Sequence, residues 1–305
     1  MIRQKIKIMS ANLENSAAAA VLNSQNAVAP VGRETETSTG SQETTLFAEP
    51  VLTVGKFTIT NSLINSWAVV LILAVLALVL RTRLRQIPRG LQNFFEFIID
   101  GALDLCDTVT GSRSKSQKFF PIVFALFLFI LVNNWLGMLP GVGTIGFQEI
   151  HGGESIFIPF FRGGTADLNT TLALALLAVV GSHIAGVIMI GWWKYLNKFI
   201  NIKAFLEIPG KIVKDPAVIL VNPIKAFVGI VEIIGEMAKV ASLSFRLFGN
   251  IFAGEVLLTS MAALFAFILP IPFMFLEIIV GLIQALIFSI LTLVYLTIAT
   301  TAEEH

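Results

Sequence analysis

From Pro223 to Leu269 the chain reads PIKAFVGIVEIIGEMAKVASLSFRLFGNIFAGEVLLTSMAALFAFIL, with no proline after its first residue. At 1.5 Å per residue a helix over this stretch extends about 70 Å, more than twice the ~30 Å of hydrocarbon in a bilayer. The next run, Ile271 to Thr300, is also apolar and reaches about 45 Å as a helix. An ordinary tilt of about 20° does not absorb the first excess. The helix is therefore broken, or steeply inclined in the membrane, or extends out of it over residues 223–238, where Lys225, Glu232 and Glu236 lie. Pro270 and Pro272 divide the two long segments.

Lys239, Arg246, Glu255 and Glu277 all fall in strongly apolar surroundings here. An ionisable side chain at mid-membrane costs about 2.5–3.5 kcal/mol on insertion scales, so such groups face a bundle interior or a wet cavity. Arg246, between Phe245 and Leu247, has no acid within four positions, which removes a local helix-surface ion pair. A structural arginine satisfied by an acid on a neighbouring helix is the competing reading. At 100° per residue, Glu232, Lys239, Ser242, Arg246, Asn250 and Ala253 lie within about 40° of one line, with Gly249 beside it. That stripe suits close approach of another helix. Glu255 projects from the opposite face, and Glu277, Gln284, Leu291 and Tyr295 share a face of the last helix. A cation on one side and carboxylates on the other describe two aqueous environments separated by a barrier. A proton path needs this arrangement; an ion-coupled transporter with a substrate site carries it too.

Composition agrees with a membrane protein. Of 305 residues 55% are apolar and 13% charged, where a soluble domain carries roughly a quarter charged; mean hydropathy is +0.82. The net charge of +1, with basic residues set beside hydrophobic spans, argues against a nucleic-acid partner. Cys106 is the only cysteine, so there is no intrachain disulfide and no cysteine metal cluster, and Cys106 reads as a small packing residue. No Gly-x-x-x-x-Gly-Lys phosphate loop occurs, so the chain has no nucleotide site of its own.

The predicted fold is an all-α integral membrane protein with five crossing helices, over about 63–80, 119–136, 168–193, 223–269 and 271–300, plus one amphipathic surface helix within 89–117. Residues 1–60 read as a flexible tail on the outer side, and 61–305 as a single membrane domain. A signal peptide is the rival reading of the start, where Arg3, Lys5 and Lys7 precede a small apolar patch interrupted by Glu14. Arg81, Arg83, Arg85 and Arg89 follow the first span, and Lys194, Lys198, Lys203, Lys211 and Lys214 follow the third. The positive-inside bias puts both segments in the cytoplasm, the N-terminus outside and the C-terminus inside. The Gly-rich stretch from Gly141 to Asp167, with Glu149, Glu154 and Arg162, reads as a translocated loop.

The segment Ser242-Leu-Ser-Phe-Arg246-Leu-Phe-Gly-Asn250-Ile-Phe-Ala-Gly-Glu255 resembles the signature of the F-type ATP synthase a subunit. The runs Gln284 to Tyr295, Asn134-Trp-Leu-Gly-Met-Leu-Pro140, Ala166 to Ala175 and the ending Glu303-Glu304-His305 are similar to other parts of that family, so the resemblance covers about residues 60–305. It implies that Arg246 faces a rotating ring of c subunits, that Glu255 and Glu277 line the channel from the outer side, and that Gln284 is the polar partner of the arginine. Asn250, Ser242, Glu232 and Asn134 match polar positions of two offset half-channels. His183 either extends a channel or packs against a neighbouring helix. The resemblance further implies a strongly tilted final hairpin around the ring, b subunits of a peripheral stalk and the rest of the synthase as partners, and a bacterial inner membrane as location. It implies no cofactor and no bound metal, and a translocase role without a catalytic site. Glu277 stands where some members have His, and Gly137 where some have Asp.

Overall fold

Glycine and proline set the breaks between long apolar helices. The computed structural model describes residues 48–83, 90–139, 145–151, 154–195, 218–265 and 268–301. The expected tail and signal peptide over residues 1–47, Arg85 and Arg89, the four lysines from Lys198 to Lys214, and Glu303 to His305 lie outside the described residues.

The described residues open with a hairpin, β1 (Pro50–Val54) and β2 (Phe57–Thr60). This corrects the expectation of a tail running to residue 60. Val51 to Val54 and Phe57 to Thr60 are rich in β-branched residues, and Gly55, at φ 66°, supplies the positive φ that a tight two-residue turn needs. Helix α1 (Asn61–Arg83) follows at once. Its large side chains from Val70 to Val79 are mostly exposed, as suits a helix whose outer face meets lipid rather than protein. Helix α2 (Leu91–Thr110) is the amphipathic surface helix; it stops at Gly111, left-handed at φ 66°, whose N–H caps the Asp107 carbonyl at 2.9 Å. Helix α3 (Arg113–Gly137) starts two turns earlier than the apolar run, because Arg113 to Lys118 continue it as polar turns. Arg113 donates to Asp104 and Asp107 at 2.9 and 2.7 Å across the α2–α3 corner.

The expected outer loop contains a second antiparallel hairpin, β3 (Gly146–His151) and β4 (Glu154–Pro159). A 3₁₀ turn, Gly164–Ala166, leads to α4 (Leu168–Ile190), whose N-cap Asp167 accepts from the Asn169 N–H at 3.2 Å. Helix α4 ends at Ile190 rather than Trp193, because Gly191 adopts φ 94° and turns the chain. Helix α5 (Val218–Leu264) is continuous over 47 residues, which excludes a broken helix. It begins ahead of Pro223 and ends short of Leu269. Helix α6 (Pro270–Thr300) has Pro270 in its first turn, where the missing N–H costs nothing.

Among the described residues five helices are long and apolar enough to cross a membrane; on α5 the stretch is Val231–Leu264. Helix α6 is the hub, packing on α3, α4 and α5, while α4 also packs along α5. Their shared core holds Ile130, Ala175, Leu243, Leu247, Ala285 and Phe288. Cys106 joins Phe119, Val123, Leu293 and Leu296 in a second cluster, in the packing role expected of it.

Candidate functional site

Helix α5 presents one face inward and one outward around the arginine. Leu243, Ser244, Leu247, Phe248 and Ile251 are buried, whereas Ala241, Ser242, Phe245, Arg246, Gly249, Asn250 and Ala253 are exposed. Among the described residues the guanidinium of Arg246 makes one polar contact, a long bond of 3.4 Å to the Ser242 hydroxyl one turn back. No acid among the described residues pairs with it. Gly249 and Ala253 lie on this exposed face, where a second helix can approach the backbone closely, and Phe245 is the large apolar side chain beside the arginine.

The two carboxylates expected together are treated differently. Glu255 is gripped by Arg162, Nε at 3.0 and 3.2 Å from its two oxygens and Nη2 at 3.0 Å, with the Arg162 side chain only 6% exposed. Glu277 is buried at 5% exposure, and its Oε1 has no hydrogen-bond partner among the described residues. A Cβ at position 254 would overlap the Glu277 carboxyl group, so only glycine there leaves the acid its place between α5 and α6. Gln284, two turns on, is buried along the same face.

Asn134 is buried with both ends of its amide engaged: Nδ2 donates to the Gly281 carbonyl at 2.9 Å and Oδ1 accepts from Thr165 at 2.5 Å. Trp135 Nε1 donates to the Ile278 carbonyl at 3.1 Å. The pair therefore fastens α3 to α6 between Glu277 and Gln284. Next to it, Asn133 accepts from Asn65 at 3.3 Å and Ser66 at 3.5 Å on α1. A side chain at Gly137 would lie 2.6 Å from the Gly163 Cα, so this fold has no room for an aspartate there.

Residue order did not reveal Arg162 or Glu49. Arg162 reaches an acid 93 positions away, and no periodicity carries that signal. Glu49 joins the same end of the molecule, since its carbonyl accepts from Asn61 at 3.1 Å and the Ala48 N–H donates to Asp167 at 3.4 Å. Burial pushes the Glu49 carboxyl above the ordinary value of 4.5, with Arg162 opposing and Glu255 adding to the rise. A carboxyl raised on folding binds its proton more tightly in the folded state, so stability falls as pH rises from about 4.5 through the raised value. Glu49→Gln is expected to remove that slope. Thermal unfolding in detergent should show the variant gaining on the parent chain as pH goes from 4.5 to 7.

Glu232 and His183 lie toward the other end of α5, with His183 Nδ1 2.6 Å from the Tyr195 hydroxyl and Nε2 3.5 Å from Glu236. Among the described residues no group of three or more His, Cys, Asp or Glu side chains is arranged to hold a metal.

The family model described as ATP synthase A chain matches residues 63–297. Among curated proteins, the ATP synthase subunit a of Syntrophobacter fumaroxidans is 36% identical over 248 residues, covering 81% of this chain and 87% of that protein. The subunits a of Campylobacter jejuni and Citrifermentans bemidjiense are 34% and 33% identical over 236 residues, covering 77% of this chain and 88% and 86% of theirs. A match running from the first span to the end of the last, through the exposed arginine and the buried acid, makes this multi-pass membrane chain a member of the ATP synthase A chain family.

Proposed function

We propose that the chain conducts protons as subunit a of an F-type ATP synthase, through two offset half-channels that meet a ring of c subunits at Arg246. One observation carries the reading: a guanidinium stands at the apolar depth of α5, on an exposed stripe that includes Ala241, Ser242, Gly249 and Ala253, and pairs with no acid among the described residues. At that depth an unpaired charge is costly, so the compensating carboxylate belongs to a partner that passes along the stripe. The qualifying stretch Val231–Leu264 spans about 50 Å at 1.5 Å per residue, which fits a steep inclination across a ~30 Å core.

Protons reach the ring from the outer side past Glu255 and Glu277 and neutralise a ring carboxylate, which then travels through lipid uncharged. Near Arg246 the field of the fixed cation lowers the affinity of that carboxylate for its proton, and the proton leaves to the cytoplasm. The same charge repels protons that would pass straight between the half-channels. Gln284, Asn250, Ser242 and Glu232 supply polar positions along the route, and Asn134 holds α6 in register beside it. The Arg81 and Lys194 ends face the cytoplasm under the positive-inside bias, with the N-terminus outside and the C-terminus inside a bacterial inner membrane. A peripheral stalk of b subunits holds the chain still, and nucleotide chemistry resides in other subunits.

Cysteine cross-linking tests the partner. Asn250→Cys, on the stripe, is expected to form a disulfide with a small ring-forming subunit carrying a cysteine at the facing position. Val70→Cys, exposed on α1, is expected to give none. Cross-linking by the α1 variant alone would refute the assignment of the stripe.

A further inference from the structure

Between the surface helix α2, α3 and the hub helix α6 lies a cavity of about 240 Å³. Gly101 and Ala102 of α2 keep it open on one side, and a Cβ added at Gly101 would meet nothing within 4 Å. Phe120, Phe124 and Phe127 form the α3 wall, stacked in sequence with ring centres 5.0 and 6.1 Å apart. The α6 wall is apolar apart from Ser289. Among the described residues no acidic or basic side chain lines the cavity, and none of the residues assigned above to the proton path does.

Ser289 is 3% exposed, and its hydroxyl has no hydrogen-bond partner among the described residues. The threonines of α6 behave differently. Thr292, Thr297 and Thr300 each donate to the carbonyl four residues back, at 2.7 or 2.8 Å. A helical serine has the same carbonyl within reach. The Ser289 hydroxyl is therefore turned from its own helix toward the cavity, where a buried hydroxyl needs a partner.

We propose that this cavity binds a slender neutral lipophile with one hydrogen-bonding oxygen, in chemical class a medium-chain alcohol or ketone, anchored by the Ser289 hydroxyl. Size sets the first limit. Pockets for drug-sized ligands run about 300–1,000 Å³, while a dry apolar cavity of about 150 Å³ already takes benzene. Charge sets the second, since an ion brought between apolar walls loses its hydration with no counter-charge to replace it. The hydroxyl sets the third. The hydrocarbon chain of a phospholipid would fill the space but leave Ser289 without a partner, whereas an alcohol or ketone oxygen meets it. Bound there, the ligand fills the gap between α2 and α6, which pack together at this corner.

The test uses the assembled complex in vesicles and a diazirine-bearing octanol. Ultraviolet activation followed by peptide mass spectrometry locates the insertion. Saturable labelling is expected on the peptides that carry Ala102, Phe124 and Ser289, and octanol is expected to compete for it where octane does not. Ser289→Ala is expected to lower the labelling about threefold to tenfold, the share of one hydrogen bond. Ala102→Leu fills the cavity and is expected to abolish it; Ser289→Ala remains as the second variant should that chain assemble poorly. Labelling that does not saturate and spreads over exposed side chains such as Leu71 and Leu78 on α1 overturns the proposal. So does octane competing as well as octanol, or parental labelling of Ser289→Ala, either of which makes the cavity a seat for hydrocarbon chains only.

Discussion

Arg246→Ala is expected to abolish ATP-driven proton pumping by the assembled complex while leaving the chain folded and inserted. The second half follows from the geometry. Among the described residues the guanidinium forms one long bond, to Ser242 at 3.4 Å, and pairs with no acid. Its removal therefore strands no internal charge, and it relieves the insertion cost of about 2.5–3.5 kcal/mol of a mid-membrane cation. The first half follows from the role. Without a fixed cation nothing lowers the proton affinity of the passing ring carboxylate, and nothing bars a direct leak between the half-channels. Lysine at this position is a poor substitute, because a desolvated ammonium loses its proton far more readily than a guanidinium does. Acridine-type fluorescence quenching in vesicles, with complex content matched by immunoblot, measures the outcome. Normal pumping by the alanine variant would refute the assigned role.

Glu277→Gln is expected to slow proton transport by about a hundredfold, the loss typical when a positioned proton-transfer group is removed. Glu255→Gln is expected to act differently. Glu277 is the acid with a buried, unpartnered oxygen, pressed against the backbone at Gly254, and glutamine keeps its shape while carrying no exchangeable acid. Glu255 is instead held by Arg162 through a forked contact. Its neutralisation removes the charge from that forked ion pair with a buried guanidinium, so lost stability accompanies any lost transport. Proton flux and thermal unfolding measured on both variants separate these effects: flux falls with little change in unfolding for Glu277→Gln, and both change for Glu255→Gln. If the double variant conducts at the parental rate, protons reach the ring by another route.

How much was legible beforehand varies from residue to residue. The five spans and the amphipathic helix follow from hydropathy and from the cationic stops at Arg81 and Lys194, because the bilayer imposes one length scale and one charge bias on every crossing segment. The hairpins at residues 50–60 and 146–159 did not follow. Short strands beside glycines carry weak periodicity, and the reading of both regions as tail or loop passed over their β-branched residues. The exposed face at Arg246 was visible as a helical stripe. The opposed fates of Glu255 and Glu277 were not, although both are glutamates in apolar runs.

Residue order thus established a membrane chain built round an arginine with no local partner, since helical spacing alone settles which side chains share a face. Three-dimensional packing decided the rest: that α5 runs unbroken, that Arg162 claims Glu255, that Glu277 is buried against a glycine, and that His183 meets Tyr195 and Glu236. Those outcomes depend on contacts between segments tens of residues apart, and a polar group in a low-dielectric interior takes its character from whichever partner the fold brings to it.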